Sequence, residues 1–93
     1  MGYQFDTLQF VHHTGGFIDP EKSNDCQAHI PLPNGFLVSV VKNSLSYGGE
    51  EGLYEIAVYN GPKLMRVDKW GDEVKGWLTP ENVEKELDYL ASL

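Results

Sequence analysis

The chain has 93 residues, 41% of them apolar, and a single cysteine. That length fits one domain over residues 1–93 around one core, because pieces below about 40 residues rarely fold without disulfides or a metal. Fourteen acids against seven scattered bases give a net charge of −7, which argues against direct nucleic-acid binding or an anionic membrane surface, since both want a basic patch.

Residues 3–12 hold Tyr3, Phe5, Leu8, Phe10 and Val11. Their alternation breaks at Thr7-Leu8, which predicts a strand with a bulge or a change of phase. Residues 13–33 carry Gly15-Gly16, Asp19-Pro20, Pro31 and Pro33 and read as irregular. A short helix around 20–28 or an edge strand near 29–32 is the regular structure they have room for. Asn34-Gly35 is a turn signal. The β-branched run 36–42 follows, with Phe36, Val38 and Val40 on one face and Leu37, Ser39 and Val41 on the other. A loop with three glycines spans 44–52. Residues 53–59 then place Tyr54, Ile56 and Val58 on one face and Leu53, Glu55, Ala57 and Tyr59 on the other. The two runs predict an antiparallel hairpin whose core face is Phe36, Val38, Val40, Tyr54, Ile56 and Val58.

Asn60-Gly61-Pro62 predicts a turn, and 64–70 a third strand ended by Gly71-Asp72. The C-terminus carries the clearest local signals. Thr79 suits an N-cap, Pro80 the first helical position, and Leu78 with Val83 a hydrophobic staple. Glu81 falls in the first turn, where the helix dipole favours it. Val83, Leu87, Leu90 and Ala91 form an apolar stripe. The prediction is an α+β fold: a three- to four-stranded antiparallel meander with a C-terminal helix packed on one face.

No residue set points to catalysis, and an enzyme is not expected. Cys26 beside a histidine is the arrangement a nucleophile uses, but Asp25 next to it opposes a thiolate. His12, His13, Cys26 and His29 are the metal-type residues, and their spacing matches no zinc pattern. Glu50, Glu51 and Glu55 read as a solvated loop tip, not as paired catalytic acids. No cofactor is expected. Trp70, Trp77, Tyr47 and Tyr3 are the aromatics open to partial exposure, with core packing favoured for the two tryptophans. Seven of the fourteen acids fall within 68–88, diluted by Lys69, Lys75 and Lys85. The single cysteine and the lack of a basic-then-apolar leader lead us to expect a cytoplasmic protein. No apolar run approaches the roughly 20 residues that span a bilayer.

The runs Asn34-Gly35-Phe36-Leu37-Val38-Ser39-Val40-Val41, Tyr47-Gly48-Gly49, Gly52-Leu53-Tyr54-Glu55-Ile56-Ala57-Val58 and the Leu78-Thr79-Pro80-Glu81 helix start form a pattern over residues 33–93. It resembles small accessory proteins of tailed bacteriophages to which no activity is attached. The resemblance implies a viral protein working in the host cytoplasm, and it assigns no catalytic residue. With the acidity, it makes a non-enzymatic protein that binds a host or viral protein the leading expectation. Contact candidates are Tyr47, Glu50, Glu51, Glu81, Glu84 and Asp88. Two alternatives stand beside it. One is an inhibitor of a defence or nucleic-acid enzyme that offers an acidic, DNA-mimicking face. The other is a small-molecule or metal-binding module built on 12–29. A homodimer is a further way to cover exposed strand edges.

Overall fold

The alternating runs become the centre of the sheet. In a computed structural model, which describes residues 2–12 and 14–93, β3 (Leu37–Lys42) pairs antiparallel with β4 (Tyr54–Asn60). Val38 sits opposite Val58 and Val40 opposite Ile56. These four are fully buried, and Tyr54 nearly so. Phe36 lies just before β3 and packs, half-buried, against the same core.

The class is α+β, but the sheet is larger than the sequence predicts. Among the described residues it has six strands, all pairs antiparallel. β1 (Val11–His12) pairs with β2 (Cys26–Pro31), and β2 with β3. β4's far edge is shared. β5 (Lys63–Leu64) takes its C-terminal end and β6 (Val74–Leu78) its N-terminal end.

Three expectations are corrected here. Within 13–33 the strand starts at Cys26, not near 29, and is not at an edge: a turn of 3-10 helix at Pro20–Lys22 leads into β2, which lies between β1 and β3 and continues the core face through Cys26 and Ala28. Residues 3–12 yield only the two residues of β1, because Phe5–Thr7 coil into a 3-10 turn. The third strand of 64–70 shrinks to β5. Val67 dives into the core, and Trp70 N donates to Val67 O at 3.0 Å in a tight turn.

The helix α1 (Pro80–Ala91) forms as its caps dictate. Thr79 Oγ1 accepts from Asn82 N at 3.2 Å, and Asn82 Oδ1 accepts from Thr79 N at 3.3 Å, so two orphan donors are satisfied reciprocally. Val83, Leu87 and Leu90 are fully buried against the sheet. The N-terminal segment is strapped to the same helix. Tyr3 N donates to Asp88 Oδ1 at 2.7 Å and Phe5 N to Glu84 Oε2 at 2.6 Å. This brings Phe5, Phe10 and Tyr54 together, with ring centroids 5.0 to 5.7 Å apart. The buried Lys42 closes that corner: its Nζ donates to Pro20 O at 2.5 Å and lies 5.0 Å from the Tyr54 ring centroid. No helix among the described residues is long and apolar enough to cross a membrane.

Candidate functional site

The bond pattern between β4 and β6 is interrupted once. Tyr54 faces Leu78 and Ile56 faces Lys75, so Gly76 and Trp77 together oppose Glu55. That is a β-bulge, two residues against one. It shifts the phase of β6. Val74, opposite Ala57, belongs to the outer face, while Leu78, opposite Tyr54, is buried on the core face.

The bulge holds the backbone outlier of the molecule. Trp77 has φ 59°, the positive-φ residue other than glycine among the described residues. The left-handed region costs an L-residue with a bulky side chain roughly 1–2 kcal/mol. A bulge normally gives this conformation to glycine. Here the glycine is needed one place earlier, because a Cβ on Gly76 would collide with the Cβ and carbonyl oxygen of Tyr47. The strained position therefore falls to Trp77, whose side chain is 60% exposed. This corrects the expectation that Trp77 packs in the core. Trp70 is half-buried, and its indole Nε1 donates to Glu86 Oε1 at 2.7 Å.

Tyr47, also 60% exposed, stands beside Trp77 and is held by its backbone at two points. Its carbonyl accepts from Trp77 N at 3.2 Å, and its N–H donates to Glu55 Oε1 at 3.0 Å. The loop behind it is locked to itself. Asn43 Oδ1 accepts from Leu45 N at 2.8 Å and Ser46 N at 2.9 Å, while Asn43 N donates to Ser46 Oγ at 2.9 Å. Gly49 sits where any Cβ would strike the Asn43 carbonyl. A 3-10 turn at Gly49–Glu51 then presents Glu50 and Glu51, both exposed and with carboxylates that make no hydrogen bond or ion pair to the described residues. Tyr47, Trp77, Glu50 and Glu51 line one shallow hollow of about 190 Å³. Leu45, on the same loop, is almost wholly exposed.

The structure brings Tyr47, Glu50 and Glu51 together and adds Trp77, which the sequence reading had placed elsewhere. It puts the helix candidates to another use. Glu84 and Asp88 accept the backbone N–H bonds of Phe5 and Tyr3, and Glu86 binds both Trp70 and Lys69. Glu81 makes no such bond and lines a different hollow.

The metal-type residues do not assemble. Cys26 is buried on the core face of β2 and His29 is exposed on the opposite face. His12 Nδ1 lies 2.7 Å from Thr14 Oγ1, and its Nε2 is 4.0 Å from Asp25 Oδ2. His13 lies outside the described residues. Among those described, no three His, Cys, Asp or Glu residues group as metal ligands. Burial pushes the Cys26 thiol up from its ordinary range, Lys42 pulls it down less, and Asp25 adds to the rise. The thiol form is therefore favoured, which is the wrong form for a nucleophile. The chain matches no protein-family model, no curated protein and no solved structure.

Proposed function

We propose that this chain is a non-enzymatic protein-binding module, an accessory protein of the tailed-phage type acting in the host cytoplasm, and that it holds its partner through Tyr47 and Trp77 with Glu50 and Glu51 at the rim. One observation carries the reading: Trp77 stands exposed at φ 59° on a support that cannot relax around it. Strain of this kind persists where the surroundings over-determine it, and it gathers at functional sites. Tryptophan and tyrosine are also the residues that dominate interface energetics. The self-bonded loop and the Trp77 N–H bond to Tyr47 O fix the backbone that carries both rings, so less conformational entropy is left to lose on binding. The two glutamates add the electrostatic steering that speeds encounter with a basic surface.

The test is affinity capture from host cells with the wild-type chain, Trp77→Asn and Tyr47→Ala side by side, followed by a titration of the captured protein. Asparagine accepts the left-handed conformation, so W77N keeps the bulge and removes the ring. The expected result is a partner held by the wild type and weakened about 30-fold or more by either variant, the loss typical of an interface anchor. A partner bound equally well by all three chains overturns the proposal.

A further inference from the structure

The second opening lies between the N-terminal strap, the Pro20–Lys22 turn and the start of α1. Three adjoining hollows of about 360, 330 and 530 Å³ run along it. The first two share Leu8, Ile18 and Asp19, and the last two share Phe5, Asp6 and Glu21, so together they form one groove. Its apolar wall is Phe5, Leu8 and Ile18, and Phe17 stands 77% exposed at one end.

The groove is electrically one-sided. Asp6, Asp19, Glu21, Glu81 and Glu84 line it, and among the described residues no lysine, arginine or histidine does. Two of these acids are engaged: Glu84 with Phe5 N, and Asp19 with Glu21 N at 3.0 Å. The carboxylates of Asp6, Glu21 and Glu81 make no hydrogen bond or ion pair to the described residues. The nearby ammonium of Lys42 is buried and bonded to Pro20 O.

Tyr54 supplies an independent observation. The residue is only 3% exposed, yet it lines the third hollow beside Glu21 and Glu81. Its hydroxyl has no hydrogen-bond partner among the described residues, and it is not sealed off, so it opens into the groove. Burial first, then the negative charge of Cys26, Glu21 and Asp19, pushes the phenol up to about 12. At working pH it is a neutral hydroxyl with both lone pairs open. A polar group this deep, with no protein partner, is one that a ligand can satisfy.

We infer that this groove binds a basic segment of a partner protein: an extended peptide that lays an apolar side chain on Phe5, Leu8 and Ile18 and places a lysine or arginine between Glu21 and Glu81, with the Tyr54 hydroxyl accepting one of its N–H bonds. The two glutamates supply the charge complementarity, and the hydroxyl supplies direction. The inference does not rest on the Tyr47–Trp77 patch.

The experiment titrates the full chain with the capped peptide acetyl-Leu-Lys-Leu-Arg-amide, following backbone amide shifts by NMR. The control peptide carries norleucine for lysine and citrulline for arginine. Saturable shifts are expected at residues 5–8, 18–21, 54 and 81, with the control about tenfold weaker or worse. Glu21→Gln with Glu81→Gln should weaken binding by about tenfold, and Tyr54→Phe by about three- to tenfold, the range of one hydrogen bond. Both carboxylates are solvent-facing and unbonded, so neutralising them leaves the fold in place. W77N should bind the peptide as the wild type does, which separates this groove from the aromatic patch. Equal binding of the control peptide overturns the inference. So do shifts centred elsewhere, no saturation up to about 10 mM, or unchanged affinity in the glutamate pair or in Y54F.

Discussion

Along α1, Glu84 and Asp88 reach back to the backbone of Phe5 and Tyr3 and hold the N-terminal segment down. On the 44–52 loop, the carboxylates of Glu50 and Glu51 reach for nothing among the described residues. Both pairs are carboxylates a few residues apart on the surface. The difference lies in the backbone around them. The strap offers N–H groups that no strand partner uses, and an ionised acceptor satisfies them. On the loop, Asn43 and Ser46 satisfy the N–H groups of Asn43, Leu45 and Ser46, and Glu55 that of Tyr47, so Glu50 and Glu51 stay open to another molecule. Acidic density alone therefore does not mark a contact surface. Glu84 and Asp88 belong to the fold, while Glu50 and Glu51 stand open to solvent.

The sharpest way to break this contrast is to destroy the loop's support. Gly49→Ala puts a methyl onto the Asn43 carbonyl and should cost roughly 3 kcal/mol or more, read as a lowered urea midpoint. Wild-type stability in that variant would mean that the loop is softer than described. Next comes the strap. Glu84→Ala with Asp88→Ala removes two charge-assisted bonds, one of them exposed, and should cost about 2 kcal/mol in total. Amide exchange should speed up at residues 3–8 before it does in β3 and β4.

Alkaline pH should act at Tyr54. Its phenol sits at about 12 in the folded chain against an ordinary 10.0. The folded state therefore holds that proton more tightly than the unfolded state. The Tyr54 contribution is intact well below pH 10 and is lost as pH rises towards 12, by about 2 kcal/mol, beside the loss that the raised Cys26 thiol brings on as pH passes its ordinary value. Y54F should flatten this fall in a pH series of denaturant midpoints, and an unchanged slope would remove Tyr54 as its source. Trp77→Asn should shift stability by no more than about 1 kcal/mol, because relief of the left-handed strain offsets the lost contact of a ring that is mostly exposed. The smallest effect belongs to Glu50→Gln with Glu51→Gln, within about 0.5 kcal/mol. A loss as large as that of the helix pair would erase the distinction drawn above.

How much of this was legible in the sequence follows from where the contacts lie. The β3–β4 hairpin and α1 were readable because their signals are local: strict alternation at Val38, Val40, Ile56 and Val58, and a cap at Thr79 with proline beside it. The capping partner Asn82 was not foreseen, since glutamate or glutamine is the residue that usually completes such a box. Residues 3–12 misled because Phe5 and Phe10 are apolar for the sake of Tyr54 and α1, not of a strand neighbour. The run 64–70 alternates, but each of its faces mixes charged and apolar residues, so neither is a face to bury. Val67 is the residue of this run that is buried in the core, Met65 and Trp70 pack half-buried against it, and the Trp70 indole turns to Glu86, sixteen positions away. Of the candidate site, Tyr47, Glu50 and Glu51 were visible on a glycine-rich loop. Trp77 was not, because its exposure depends on a bulge set by Gly76 meeting Tyr47 across the sheet. The Gly-Trp pair just ahead of the helix cap was the only local hint.

That bulge also makes chain length part of the site. Two residues stand against Glu55 where an unbroken ladder has one. Deleting Trp77 would restore regular pairing, with Gly76 alone opposite Glu55 while Lys75 stays opposite Ile56 and Val74 opposite Ala57. The Tyr54–Leu78 pairing would survive, seen as a retained cross-strand proton contact in NMR spectra, while the residue that Tyr47 now leans on would be gone. At this point the molecule should accept many substitutions more readily than the loss of a single residue.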